Sequence, residues 1–342
     1  MQAATSRRLT FSLVLLTILP SLHAQRYTVT DLGILPGDNA SRGWAINSTG
    51  WVTGNSGPHA IYWTKNTGMQ DLGCIGQGFA GAVNDKNRIV GDCGPTGDTI
   101  IAFVWTRSTG IQDIGTLPNG TFSGANGINN FNQVVGTSNY GPSFNDLHAF
   151  YWTKAKGMID LGTLGGEFSL ANAINNSGQV VGYSSFDTTF NSHAFLWTAS
   201  GGMQDLGKLR TGSNSDASAI NDAGIIVGNA DNSKGNLRAV RWKNGRIHNL
   251  GLLNGSTYSF ATSINNEGVI VGESGPQGTD VSHAVIWGQN GNLRDLNKLV
   301  CGGTEFVLLS ARAINDSGQI AGYGMINGET HAYLANPTSD CE

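Results

Sequence analysis

Charge is scarce in this 342-residue chain: Asp, Glu, Lys and Arg together make up 13% of it. The 20 basic residues do not outnumber the 24 acidic ones, so no basic field exists to hold a phosphate backbone and nucleic acid is not expected as a partner. A coiled coil would need far more Ala, Glu, Lys and Arg, and a disordered chain would need more charge and fewer aromatics. Long apolar runs are also missing. Beyond Phe11 to Leu19 no stretch approaches the roughly 18 residues of a membrane-spanning helix. Nor does the chain carry a Gly-x-Ser-x-Gly elbow, a phosphate loop or a His-Glu-x-x-His helix, so no familiar catalytic pattern is present. No cofactor is called for. What is plentiful is glycine, 49 residues of it, dispersed among short apolar runs, which predicts a turn-rich all-β chain.

The first segment reads as an address. Arg7 and Arg8 precede the apolar run, Pro20 follows it, and Ala24 marks a cleavage point, so residues 1–24 are expected to be a secretory signal peptide and residues 25–342 one mature domain. A secreted, extracellular or periplasmic location lets the four cysteines oxidise. Chain order favours Cys74 with Cys93 and Cys301 with Cys341, and no pair has the spacing of a zinc knuckle.

Self-similarity dominates the rest. Asp-Leu-Gly or a close variant begins at Asp31, Asp71, Asp113, Asp160, Asp205, Asn249 and Asp295, a period averaging 44 residues. Ile-Asn or Val-Asn begins at Ile46, Val83, Ile128, Ile174, Ile220, Ile264 and Ile314, each followed by a turn and a short apolar run ending in Gly. A third signature starts at His59, Ile101, His148, His193, Arg238, His283 and His331. One unit, Ser169 to Leu209, holds four β-type runs separated by turn residues, and four strands at this period predict a propeller blade. The expected fold is therefore an all-β, seven-bladed β-propeller with four antiparallel strands per blade. The last unit lacks its fourth strand and Tyr27 to Gly33 precedes any unit, so the N-terminal strand is expected to close the ring beside His331 to Leu334. Small residues recur immediately before each Ile or Val (Ala45, Ala82, Gly127, Ala173, Ala219, Ser263, Ala313) and two positions earlier. This suits innermost strands whose backbones must approach closely.

The stretches His148 to Trp152 and His193 to Trp197, each leading to Gly-Met and Asp-Leu-Gly, together with Ala-Ile-Asn-Asn-Ser-Gly-Gln-Val-Val-Gly at Ala173 to Gly182, resemble the bacterial extracellular HAF-repeat proteins. The resemblance spans the mature chain and implies secretion and a repeat fold. It implies no activity. Ile101 and Arg238 depart from the repeated His, and Ala335 from the repeated Trp.

The repeated histidines invite a metal ring, but Ile101 and Arg238 break the series, and each His is expected to satisfy a backbone carbonyl instead; no metal site is assigned. Each Asp before Leu-Gly is expected to accept from backbone donors in its own turn. Repeats differ most between their second and third strands. Tyr140, Phe144 and Asp146 fall there in the third unit, and Tyr183, Phe186, Asp187 and Phe190 in the fourth. Aromatics beside carboxylates suit a glycan or peptide ligand, while the same rings folded down would merely cap the blades. The functional expectation is a secreted binding or interaction module. The competing one is an extracellular polysaccharide hydrolase or lyase, which convergent carboxylates in the central mouth would favour.

Overall fold

A computed structural model describes residues 25–94, 99–141, 146–187, 191–276, 281–303 and 305–341. Phe144, Phe190 and the expected signal peptide lie outside these residues. The described chain forms seven four-stranded antiparallel sheets arranged as a propeller. Blades 1 to 6 run in chain order from Ser41 to Asp295. Blade 7 combines the three last strands with the N-terminal strand Arg26–Asp31, which pairs with Glu329–Thr338 in the register Arg26 to Thr338 through Asp31 to Tyr333. Ring closure by the N-terminal strand is thus observed. It is reinforced on the other edge of that strand, where Cys301 N donates to Tyr27 O at 2.8 Å beside a parallel bridge from Tyr27 to Val300. Both disulfides form as expected, Cys74 to Cys93 and Cys301 to Cys341.

Blades stack through apolar clusters drawn from neighbouring sheets, with Phe103, Phe150, Phe195 and Trp287 fully buried. The indole nitrogens of Trp242 and Trp287 donate to the carbonyls of Leu206 and Leu250 in the preceding blade, so these rings pack and tie adjacent blades. A serine at the start of five innermost strands bridges the same interface. Ser215, for example, accepts from Ala194 N and donates to Gly207 O, both in the blade before.

The innermost strand of every blade carries a β-bulge between its two small residues, for instance between Ala171 and Ala173. The extra residue leaves the period-two alternation and its side chain is re-aimed. The bulge also explains the Gly that ends each second strand's apolar run. A Cβ on Gly54, Gly91, Gly136, Gly182, Gly228, Gly272 or Gly322 would collide with a carbonyl oxygen of the paired innermost strand.

Candidate functional site

Seven bulges place seven residues around the propeller axis: Trp44, Gly81, Asn126, Asn172, Ser218, Thr262 and Arg312. All seven line one cavity of about 450 Å³. Its outer wall comes from the starts of innermost strands (Phe79, Asp216, Phe260) and from two strand-paired neighbours, Asn229 opposite Asp216 and Glu273 opposite Phe260. Because second strands end on this side, the cavity is the mouth of the central channel on the face of the second-to-third connections.

The mouth has two unlike arcs. Blades 7, 1 and 2 present Arg312, Trp44 and Phe79. The Arg312 guanidinium carbon stands 4.4 Å from the Trp44 ring centre, and Trp44 tilts against Phe79 at 5.4 Å between centroids. Trp44 Nε1 donates to Asn55 Oδ1 at 2.8 Å, which fixes the indole. Glycine at position 81 leaves room for the Phe79 ring, since a Cβ there would meet it at 3.1 Å. Blades 3 to 6 present amides, carboxylates and the Ser218 and Thr262 hydroxyls, with the Phe260 ring among them. Asn126 Nδ2 donates to Ala171 O, and Asn172 Nδ2 to Ala217 O and to Asp216 Oδ1 at 2.9 Å, so both amides are held by the next blade.

Burial shapes the electrostatics. Desolvation pushes Asp216 up from 3.8 to about 7, against the lowering effect of its bond from Asn172. Asp92, in the second strand of blade 2, is likewise pushed up to about 6 by burial. Burial also lowers Arg312, opposed by the Glu273 charge, yet a guanidinium stays protonated in any protein setting. Glu273 Oε2 is buried without a hydrogen-bond partner among the described residues. No ion pair or hydrogen bond among them engages the Arg312 guanidinium either.

At the opposite end of the axis the Ile-Asn turns form a different structure. Each Asn side chain donates to the backbone carbonyl of the corresponding Asn in the next blade: Asn47 to Asn84, Asn84 to Asn129, Asn129 to Asn175, Asn175 to Asn221, Asn221 to Asn265, Asn265 to Asn315, and Asn315 back to Asn47, at 2.9–3.2 Å. Each Oδ1 meanwhile accepts from backbone within its own turn, as from Trp51 N and Gln179 N. The turn requires one residue at positive φ, supplied by Gly50, Gly178, Gly224, Gly268 and Gly318 and by Asn87 and Asn132, the residue types that tolerate it.

The loop residues singled out from sequence are distributed differently. Tyr140 is 46% exposed, with its ring 6.2 Å from that of His148. Asp146 is exposed and its carbonyl accepts from Tyr140 N. Phe186 packs on His193 at 4.3 Å between centroids, with Asp187 following it. Tyr183 is not in a loop: the second strand of blade 4 runs on to Ser185, and Tyr183 pairs with Ala194 close enough to Asp216 for that charge to raise its pKa further, after burial. The structure therefore places Tyr183 beside Asp216 and against Phe168 at 6.2 Å between centroids, apart from Tyr140 and Phe186.

The expectation for the histidines is corrected. His148, His193, His283 and His331 meet the carboxylates of Asp160, Asp205, Asp295 and Asp31 through Nδ1 at 2.8–2.9 Å, and His59 meets Asp38 at 3.0 Å, the Ser56 backbone being a lesser partner of His59 alone. For the first four the reason is register, since the Asp of the Asp-Leu-Gly strand pairs with the residue two positions after the His, which makes the two diagonal neighbours at one edge. The carboxylate bond is the main cause raising His59 and His148. The aspartates also accept from the expected turn donors, as Gly162 N to Asp160. Among the described residues no group of three or more His, Cys, Asp or Glu could hold a metal ion.

The mouth was missed from sequence because its residues vary from blade to blade. The available signal was the pair of small residues separated by one free position, which is the mark of the bulge.

No family model matches the chain, and no curated protein matches it. Solved structures do, at the level of fold. A streptogramin B lyase superposes with TM-score 0.55 at 9% identity over 92% of this chain and 98% of its own. A puromycin hydrolase gives 0.55 at 12% over 89% and 52%. The extracellular domain of BT4673 from B. thetaiotaomicron gives 0.56 at 8% over 90% and 39%.

Proposed function

We propose that this protein is a secreted propeller that binds an extracellular glycan in the mouth of its central channel, with the Tyr140, Asp146, Phe186 and Asp187 loops as an outer rim. The observation that carries the reading is the convergence of seven bulged residues, one from each blade and six of them with side chains, on one cavity that joins aromatic rings to an arc of polar groups. A sugar has an apolar face and a polar edge, and a concave site with few placed polar groups on a rigid scaffold is the usual form of a small-ligand site. Two disulfides and the HAF-like repeats support export, and no helix among the described residues is long and apolar enough to cross a membrane.

A glycan array probed with the protein tests this. Binding that is lost in Trp44→Ala/Phe79→Ala and kept in Tyr140→Ala/Phe186→Ala supports the mouth as the site; the reverse pattern moves the site to the loops. A peptide library run in parallel supports the peptide alternative if it alone gives signal. A second reading, a polysaccharide hydrolase or lyase, has one favouring observation. Asp216, held near neutral pKa, and the unpartnered Glu273 oxygen share the mouth, as a proton donor and acceptor would. Release of new reducing ends from a bound glycan, abolished in Asp216→Asn, would establish it.

A further inference from the structure

The mouth contains two oppositely charged groups, Arg312 and Glu273, that feel each other's charge. Arg312 stands over the Trp44 ring with no hydrogen bond or ion pair to its guanidinium among the described residues, and Glu273 keeps a buried oxygen without a donor. Buried polar groups are almost always paired, so the Glu273 oxygen points to a ligand that supplies its partner, and the half-buried Arg312 fork faces the same cavity with its N–H groups unspent. Their surroundings say more. Asn172 gives its amide N–H groups to Ala217 O and Asp216 Oδ1 and Asn126 gives one to Ala171 O, while the side-chain oxygens of both accept no hydrogen bond among the described residues. With Asp216 and Glu273 they make blades 3 to 6 an arc of acceptors, which suits a ligand edge rich in hydroxyl donors. The other arc offers a ring to stack on, Phe79, and a planar cation beside it.

Building on the glycan reading, we infer that the unit seated in the mouth is an acidic sugar of the uronate class, its carboxylate on Arg312, its ring against Phe79, and its hydroxyls donating to Glu273, Asn126 and Asn172. A guanidinium matches a carboxylate with two parallel N–H bonds, a geometry a neutral sugar cannot use. A uronate also brings one negative charge to the side of the mouth that holds the one cation lining it, while its hydroxyls answer the acceptors opposite. A zwitterionic peptide end could pair with Arg312 and Glu273. It has too few donors for the amide oxygens spread over blades 3 and 4, and no ring face for Phe79.

The test is a binding titration of the full protein against oligosaccharides of galacturonate, mannuronate, guluronate and glucuronate, each beside its carboxyl-reduced neutral twin. At least one acidic member should bind at least about tenfold tighter than its twin. Arg312→Gln should erase that difference, and Arg312→Lys, which keeps the charge without the fork, should restore only part of it. Equal binding of an acid and its twin overturns the inference and leaves the glycan reading standing. Failure of every sugar, acidic or neutral, overturns both, and signal only from triglycine would assign the mouth to peptide ends. The comparison of twins needs no variant, so it decides the question even if position 312 tolerates no change.

Discussion

The two ends of the propeller axis are built from the same seven strands, yet they could hardly be more different. At one end seven asparagines repeat one hydrogen bond around the ring. Three residues earlier on the same strands, seven bulges present Trp, Gly, two Asn, Ser, Thr and Arg. Where the backbone imposes one geometric need on every blade, one residue type answers it. Where the bulge frees a side chain from pairing, each blade is at liberty to differ, and the differences converge on one cavity. Uniformity in a repeat protein thus marks cohesion, and divergence at a fixed structural position marks recognition.

The most drastic way to break this comparison is to open the circle on which both ends depend. Deleting residues 25–33 removes the outer strand of blade 7 and should lower Tm by more than about 10 °C, or abolish folding, in a thermal melt; an unchanged Tm would refute closure by that strand. On the mouth side a covalent clip holds the entry to blade 2. Replacing Cys74 and Cys93 together by Ser should cost about 3 kcal/mol in a denaturant titration.

Asn221→Ala should cost about 2–3 kcal/mol, because it strands the Ile225 amide and removes the bond between blades, leaving the Asn265 carbonyl only its own turn's Gly268 N as donor. Asn221→Asp keeps the acceptor within the turn but loses the donor to the next blade. If the two variants are equally unstable, the bond between blades carries most of the cost; a mild Asp variant would instead locate it within the turn.

Asp216 sharpens the contrast through pH. Its folded pKa of about 7 exceeds the ordinary 3.8, so the native state resists its ionisation. The resulting loss of stability is absent below about pH 4, grows as pH rises, and is complete above about pH 7, reaching roughly a few kcal/mol. Asp216→Asn should flatten that slope between pH 4 and 8 in urea melts; an unaltered slope would show that Asp216 ionises freely. The smallest effect is expected at Ser218, three residues before Asn221. Ser218→Asn, which copies blades 3 and 4, should change stability by no more than about 0.5 kcal/mol, and a loss comparable to that of Asn221→Ala would erase the distinction between the two ends.

The sequence disclosed the fold nearly in full because blade count, closure and disulfide pairing all follow from where motifs recur. Cys74 and Cys93 lie near the ends of strands that the repeat alone places together. The site was far less legible. The small residues at 171 and 173 announced close backbones, but Asn172 between them looked like noise, since a one-residue bulge inverts the facing that strand alternation implies. Tyr183 was read as loop because the repeated Gly182 seemed to end its strand, whereas that Gly serves the bulge and the strand continues to Ser185. The turn asparagines recur visibly in the sequence, but nothing in a linear pattern shows that an amide reaches the blade after its own.

The asparagine bonds all point the same way round the axis, each blade giving to its successor, and the last bond runs from Asn315 to Asn47 across the junction of the two chain ends. The circle accordingly has a handedness but no origin. With the tail joined to the N-terminal strand and the chain cut in the exposed hairpin at Ser200 and Gly201, a permuted polypeptide would thread the same seven units in the same sense and merely begin its count at a different blade.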